Sequence, residues 1–110
     1  MKIPGGERAV VDIAKLQDYC LSPQHPRGRH KARVFASVLG ITVNDADLLR
    51  QALLKAAREG EALEGARDDY GQRYVIDLEV QGPRGMAMVR SSWIILHGED
   101  FPRMTSCYVG

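Results

Sequence analysis

The sequence predicts an α+β fold in which two or three N-terminal helices pack on a three- to four-stranded antiparallel sheet. Apolar side chains recur at helical spacing between residues 9 and 60 and alternate with polar ones between residues 72 and 110. A Gly-Pro-Arg-Gly run at 82–85 separates the two longest strand-like stretches and has the composition of a hairpin turn. A chain of 110 residues can bury its own core, so we expect a single domain over 1–110, with a helical half and a strand half.

Three helices are expected in the first half. Asp12 is suited to cap the first helix, because its carboxylate can accept hydrogen bonds from backbone amides of the first turn. The second helix covers about 29–39 and has Gly40 at the position that follows a helix end. The third helix is expected to begin with Asn44 as its N-cap and to stop at Gly60.

The second half predicts three strands. Residues 61–71 are acidic, contain glycine and lack periodicity, so we interpret them as a surface loop, with a mobile flap as the alternative. Residues 73–80 alternate as a half-buried strand does. Residues 86–96 form the next strand, whose second half is apolar on both faces, as in a central strand. Residues 103–109 form the last strand.

Composition narrows the classes of function. The net charge of +1 creates no global field that would attract nucleic acid or membrane. The two cysteines, Cys20 and Cys107, are too few for a four-cysteine zinc site and fit a reducing compartment, with a disulfide between them as the alternative. Without a secretory h-region or a membrane-length apolar run, we expect a cytoplasmic protein that uses no membrane, metal or cofactor. An exported toxin domain carried by a larger chain would also lack its own signal.

One segment concentrates the polar chemistry of the chain. The nine residues His25–Arg33 contain two histidines and four of the arginines and lysines. No acid interrupts the segment, and the nearest acids are Asp18 and Asp45. Helical periodicity places His30 and Arg33 away from the core face of the second helix. We therefore expect the rest of the chain to present this basic segment.

Several motifs resemble a family of small uncharacterised bacterial domains that occur alone or at the C-terminal ends of phage-head-like and polymorphic-toxin-like proteins. The matching stretches are Asp12–Tyr19, His25–Ala32 with Phe35, Asp69–Tyr74, Gly82-Pro83 with Gly85, Val89–Ile94 and Gly98–Tyr108. The resemblance covers almost the whole chain. It implies family membership but no settled activity.

A looser resemblance concerns architecture and residue type. Helices before a small antiparallel sheet, a basic segment with histidine and lysine, and a polar last strand are similar to the metal-independent ribonuclease toxins of the barnase-like, EndoU-like and RelE-like kinds. This resemblance implies RNA as the substrate and a cognate antitoxin or immunity protein as the partner.

Cleavage of RNA by its own 2′-hydroxyl needs a base, an acid and cations near the phosphate. His30 suits the base or acid role, with His25 as a second candidate, because histidine titrates near neutrality. Arginine and lysine suit the phosphate, and Thr105 or Tyr108 can orient it or donate a proton. The catalytic candidates are His30, Lys31, Arg90, Thr105 and Tyr108, and the substrate-binding candidates are His25, Arg27, Arg29, Arg33 and Arg73.

Each candidate also has a structural interpretation. His30 can be a solvated surface residue, and His25, which precedes a proline, can be a turn residue. Arg90 can pair with Asp77 or Glu79 across the hairpin. Whether residues as distant in sequence as His30 and Arg90 meet is decided by the fold alone.

Lys31 and Arg33 can pair with the acids of residues 61–69, an arrangement that contributes little at a surface. His97, Glu99 and Asp100 match no trusted metal-ligand spacing and are interpreted as a polar turn.

Two classes of function follow. The first is a toxin-like, metal-independent ribonuclease with a basic His/Lys/Arg site, neutralised by a cognate antitoxin or immunity protein. The second is a non-catalytic protein-interaction module of a toxin–antitoxin, phage or defence system. The clustered charge suits either RNA or an acidic protein, and the resemblance favours the ribonuclease. The oligomeric state is not determined by the sequence.

Overall fold

In the computed structural model, which describes residues 1–110, three helices precede a four-stranded antiparallel sheet. The helices are α1 (Ile13–Lys15), continued by a π-helical turn (Leu16–Cys20), α2 (Arg29–Val34), continued by a second π-helical turn (Phe35–Leu39), and α3 (Ala46–Glu59). The strands are β1 (Ala62–Arg67), β2 (Gly71–Gly82), β3 (Gly85–Leu96) and β4 (Arg103–Val109), in the spatial order β1-β2-β3-β4. The predicted α+β class is confirmed. None of the helices has the length and apolar character that a bilayer span requires.

Three of the four predicted helix signals are confirmed and one is wrong. Gly60 follows Glu59, the last residue of α3, as predicted. The Asp12 carboxylate accepts a hydrogen bond from the Ala14 amide at 2.9 Å, and Gly40 adopts the left-handed conformation, with φ of 72°. Asn44 does not cap α3, because it lies inside a 3₁₀ turn (Val43–Asp45) that precedes the helix. The Asp45 carboxylate instead accepts a hydrogen bond of 2.9 Å from the Thr42 backbone amide in a capping box. The cap is therefore at Thr42, before the 3₁₀ turn that leads into α3.

Residues 61–71 are not simply a loop, and both the loop and the flap interpretation are wrong. Strand β1 occupies most of this segment and pairs with β2, with Ala62 opposite Ile76. Only Ala62 of the six β1 residues is buried. Because both faces of this edge strand are otherwise exposed to water, its apolar and polar residues do not have to alternate. Hydrophobic periodicity therefore could not predict the strand. The Ala62 amide donates to the Met1 carbonyl, so the N-terminal residues lie beside this edge.

The core lies between the helices and one face of the sheet. Strands β2 and β3 pair over their whole length, and β4 pairs with the other side of β3, so β3 is central as predicted. Their inward side chains alternate with outward ones, and Gly82 pairs with Gly85 at the predicted hairpin. The largest fully buried side chains include Trp93 and Phe35, which come from β3 and from the turn after α2.

A buried hydroxyl joins two strands beneath the helices. The Ser91 Oγ–H donates to the Ile76 carbonyl at 2.7 Å, and Ser91 Oγ accepts the Trp93 indole N–H at 2.8 Å. Ser91 and Trp93 have no exposed surface. Because buried polar groups are costly when unpaired, this one hydroxyl allows the indole to lie in the core.

We predict that Ser91→Ala lowers the free energy of unfolding by about 1–3 kcal/mol, since it leaves the buried Trp93 indole N–H without its hydrogen-bond acceptor. Urea denaturation followed by the fluorescence of Trp93, the only tryptophan, measures this loss. Ser37→Ala, on the exposed surface after α2, is the matched control, and its effect is expected within about 0.5 kcal/mol. Equal stability of the two variants would contradict a structural role for the Ser91 hydroxyl.

Candidate functional site between α2 and β4

A cleft of about 310 Å³ opens between α2 and the end of β4. Its walls are formed by His30, Lys31, Val34, Tyr108 and Val109. Three of the five predicted catalytic residues, one pair from the helix and one from the last strand, therefore line a single cleft. Because α2 lies in the first half of the chain and β4 near its end, no local sequence motif could have predicted that their side chains line the same cleft.

Burial of one face of α2 determines which side chains reach this cleft. Ala32 and Phe35 are buried, which leaves Lys31 and Val34 on the flank beside β4. On β4 the side chains alternate, so Cys107 points into the core and the next residue, Tyr108, points outward. His30 is exposed at the rim.

The Lys31 ammonium is held by a tyrosine on the neighbouring helical turn. Its Nζ donates to Tyr19 Oη at 2.7 Å, and the bond leaves the ammonium its two other donors. The alternative interpretation, in which Lys31 and Arg33 pair with the acids of residues 61–69, is wrong, because the ion pairs of that segment join Glu61 to the N-terminal ammonium and Asp68 to Arg73.

Tyr19 supports the cleft by accepting the hydrogen bond from Lys31, and this role is not predicted from the sequence. It lies on the apolar side of the first helical segment, where a tyrosine is ordinarily a packing residue. Its spacing from Lys31 carries no motif, so no sequence signal could have identified the contact.

Arg90 lies next to Tyr108 across the β3–β4 pairing, but its guanidinium is engaged. Its Nε and Nη2 donate to the two carboxylate oxygens of Asp77 at 2.8 and 2.9 Å. The hydrogen bonds from Arg90 hold the pKa of Asp77 below its ordinary value, and those to Asp77 raise the pKa of Arg90. The predicted pairing with Asp77 is confirmed. Arg90 and Tyr108 also line a second cleft, of about 330 Å³, on the outer face of the sheet.

Thr105 is not brought to the cleft. The register of β3 and β4 is irregular here: Met104 pairs with Trp93 and Ser106 with Ser92, so Thr105 lies at a bulge between them. It is half-buried and lines neither of the two clefts.

The other flank of α2 carries two of the predicted substrate-binding residues. Arg29 and Arg33 stand one helical turn apart and line a separate cleft of about 280 Å³, together with Pro23 and Val43. Neither takes part in an ion pair; the arginines that do are Arg8, Arg73, Arg90 and Arg103. Helical geometry thus divides the basic segment into two separate flanks.

His25 is a turn residue, as its structural interpretation predicted. Its Nδ1 accepts hydrogen bonds from the backbone amides of Arg27 and Gly28, both at 3.0 Å. Its ring lies edge-on to Tyr19, with centroids 4.8 Å apart. A side chain at Gly28 would place its Cβ 2.0 Å from the Tyr19 carbonyl oxygen, so glycine allows the start of α2 to approach the π-helical turn after α1 closely.

The remaining candidates lie elsewhere. Arg27 is exposed on the connector before α2, and Arg73 pairs with Asp68 at 2.7 Å near the start of β2. The hydrogen bond from Arg73 lowers the pKa of Asp68. The acids of the turn before β4 are likewise occupied, as the polar-turn interpretation predicted: Glu99 pairs with Arg103 and Asp100 with Arg8.

The largest cleft of the molecule, about 520 Å³, lies between α3 and β2. None of the predicted site residues lines it. The cleft between α2 and β4 is smaller, yet it alone combines a histidine, a lysine and a tyrosine, and we therefore regard it as the candidate site.

The fold defines a small α+β domain with a mainly apolar cleft between its second helix and the edge of its sheet, where His30, Lys31 and Tyr108 contribute the polar groups. The chain belongs to the family described as a domain of unknown function, DUF6883, whose model matches residues 2–110. The expected membership in an uncharacterised family is thereby confirmed. Among curated proteins, no match is found.

Among solved structures, the chain is similar to a chain of the contact-dependent growth inhibition toxin–immunity protein complex from Klebsiella pneumoniae 342. The TM-score is 0.69 and the sequence identity 17%, over 92% of this chain and 99% of that chain. At this identity the likeness establishes a shared fold.

We predict that His25→Ala lowers the free energy of unfolding by about 1 kcal/mol, because two amides before α2 lose their acceptor. His25→Asn should retain most of the stability, since its amide oxygen can take the place of Nδ1. Chemical denaturation of both variants measures the difference. If the two substitutions are equally destabilising, the acceptor role of His25 is not the one the geometry indicates.

The Asp77–Arg90 pair predicts a specific acid response. A lowered pKa of Asp77 in the folded state means that the pair stabilises the fold above the ordinary value of 3.8, and that this contribution is lost as pH falls through the lowered pKa. In Asp77→Asn the free energy of unfolding should therefore fall less steeply than in the wild type as the pH is lowered from about 5 to about 2. Urea denaturation at several pH values measures it. Glu79→Gln, on the same strand and without an ion pair, should leave the decline unchanged.

Proposed function

We propose that this domain is a toxin-like, metal-independent endoribonuclease whose site is the cleft between α2 and β4. The observation that carries the proposal is the convergence of His30, Lys31 and Tyr108 on one cleft. An imidazole, an ammonium and a phenol are a base or acid, a cation and a proton donor, which are the groups that RNA cleavage by an internal 2′-hydroxyl needs.

In the proposed reaction, His30 removes the proton of a ribose 2′-hydroxyl as its oxygen attacks the adjacent phosphorus. A 2′,3′-cyclic phosphate forms, the bond from phosphorus to the 5′-oxygen breaks, and Tyr108 donates the proton that this oxygen takes. The free donors of the Lys31 ammonium face the charge that develops on the phosphate, while Tyr19 fixes its position. Thr105 has no part in this mechanism, because it does not line the cleft.

Substrate binding is assigned to the arginines that remain free of acids. Arg29 and Arg33 on the opposite flank of α2, with Arg27 before it, bind other phosphates of the same RNA, farther from the one that is cleaved. Arg90, which lies beside Tyr108, also contributes positive potential, but its ion pair with Asp77 reduces that potential. We assign no substrate-binding role to His25 and Arg73, because His25 accepts backbone amides in a turn and Arg73 pairs with Asp68.

The shared fold supports the class of protein. The complex that contains the similar chain joins a growth inhibition toxin to an immunity protein, so the fold occurs in a toxin–immunity system. We extend this to a toxin-related role for the present chain, with a cognate immunity protein or antitoxin as its partner. Because RNA is the proposed substrate, the site of action is the cytoplasm.

The second candidate function is a non-catalytic protein-interaction module of such a system. One observation favours it: Val34 and Val109 give the same cleft apolar walls, which suit a protein side chain as well as a nucleotide. In that case the basic flank of α2 binds an acidic protein, and no RNA is cleaved.

The two functions are separated by incubating the purified chain with total RNA in the presence of EDTA. We predict RNA fragments with 2′,3′-cyclic phosphate ends. His30→Ala should slow cleavage about 100- to 10,000-fold, and Tyr108→Phe should slow it while keeping the aromatic packing. Gel electrophoresis of labelled RNA and growth of cells that express each variant provide the two measurements.

Lys55→Ala, which removes an exposed positive charge from α3, is the matched control and should cleave like the wild type. Circular dichroism establishes that every variant is folded. Intact RNA with folded wild-type protein would refute the ribonuclease and select the interaction module. Cleavage that survives His30→Ala and Tyr108→Phe would move the site away from this cleft.

A further inference from the structure

The largest cleft of the molecule, about 520 Å³, lies beside a part of β2 that no first strand covers. Strand β2 extends to Gly82, but β1 pairs with it only as far as Ile76, which lies opposite Ala62. Residues Asp77–Gln81 therefore pair with β3 on one side and line the cleft on the other. The proposed ribonuclease site does not use this free edge.

The register of the sheet determines which backbone groups the free edge presents. The Met88 carbonyl accepts the Gly110 amide at 3.0 Å, so the backbone polar groups of Met88 point towards β4. Glu79 lies opposite Met88 in the β2–β3 pairing. Because residues of an antiparallel pair alternate between exchanging hydrogen bonds and pointing apart, the N–H and C=O of Glu79 point away from β3, as do those of Gln81. No turn or loop supplies these groups with a hydrogen bond.

The opposite wall of the cleft is one stripe of α3. Leu48, Ala52 and Ala56 follow one another at intervals of four residues and give this wall an apolar surface, and Leu48 is 44% exposed. Leu78 and Val80 of β2 add to the apolar lining. An apolar trough beside free backbone groups is the arrangement in which an extended peptide adds a strand to a sheet. Backbone hydrogen bonds hold such a peptide, and its alternate side chains enter the trough.

The charges of the cleft indicate which occupant fits. Glu59 and Glu79 are exposed and form no ion pair, whereas the third acid of the lining, Asp77, pairs with Arg90. Lys55 is the only cation of the lining. In an antiparallel pairing of two copies centred on this edge, Glu79 would lie beside Glu79 of the second copy, and like charges at such positions are destabilising. A segment with lysine or arginine would instead meet two free carboxylates.

We propose that this cleft binds an extended segment of a partner protein, which adds as a strand to the free edge of β2. Its apolar side chains face α3, and a lysine or arginine on it pairs with Glu79 or Glu59. The added strand occupies the row that β1 fills farther along β2. This edge and β4 lie on opposite sides of the sheet, so the inference goes beyond the proposed ribonuclease and does not rest on it.

The probe is a library of short random peptides displayed on phage and selected on the immobilised wild-type chain. We expect the enriched peptides to alternate apolar with polar residues and to contain lysine or arginine. A synthetic peptide of the enriched sequence should slow hydrogen exchange of the Glu79 and Gln81 amides at least about tenfold, because both become bonded to the added strand. Selection that enriches no peptide, or a bound peptide that leaves both amides unprotected, would overturn the proposal.

N-methylation of the synthetic peptide separates strand addition from apolar contact alone. Two versions carry methyl groups on alternate sets of backbone amides. The set that points towards β2 should weaken binding at least about tenfold, since hydrogen bonds are lost, whereas the set that points away should weaken it less than about threefold. Fluorescence anisotropy measures both affinities. Equal weakening by the two sets would show that no strand is added.

Leu48→Lys tests the apolar wall and the sign of the charge. It should weaken peptide binding at least about tenfold, because it removes apolar contact and repels the cation of the segment. Leu63→Lys, at an exposed leucine of β1 outside the cleft, is the matched control and should bind like the wild type. Glu79→Gln should weaken binding about two- to fivefold, and less at high salt. Full affinity in folded Leu48→Lys would place the peptide elsewhere.

Analytical ultracentrifugation of the chain without peptide tests the other occupant of a free strand edge. We expect a monomer in the wild type and in Leu48→Lys. A wild-type dimer that Leu48→Lys dissociates would assign the cleft to a second copy of the chain and refute the proposed partner segment.

Discussion

Burial of the Ala32, Phe35 and Leu39 face of α2 is the constraint on which the candidate site depends. It fixes the rotation of the helix about its axis, and every other side chain of the basic segment then has an assigned direction. Lys31 faces β4, while Arg29 and Arg33 face the opposite side. A continuous run of positive residues in the sequence becomes two separate surfaces, of which only one meets the last strand.

The ion pairs are also distributed unevenly between the sheet and α2. Three arginines of the sheet have acid partners: Arg73 pairs with Asp68, Arg90 with Asp77 and Arg103 with Glu99. The arginines of α2 have none, so a chain with a net charge of +1 still presents a basic flank. An anionic ligand would therefore meet positive potential around α2, next to the cleft lined by His30 and Tyr108.

Prediction from the sequence succeeded where burial imposes a period. The helix over 29–39 and the strands from β2 to β4 each bury one face, and the hairpin at 82–85 has the residues its turn needs. It failed at β1, where five exposed residues leave no period to read, and at the start of α3, where Asn44 and Thr42 both suit a cap and the capping box selected Thr42.

For the site, the sequence determined the chemistry that is available: a basic segment with histidine and lysine, a polar last strand, and two cysteines at distant positions. Only the tertiary structure decided which of these groups meet. It brought His30 and Lys31 beside Tyr108, paired Arg90 with Asp77, used His25 in a turn, and buried both cysteines in the core. The physical reason is that residue type and period follow from local burial, whereas contact between distant elements follows from how α1 and α2 pack on the sheet.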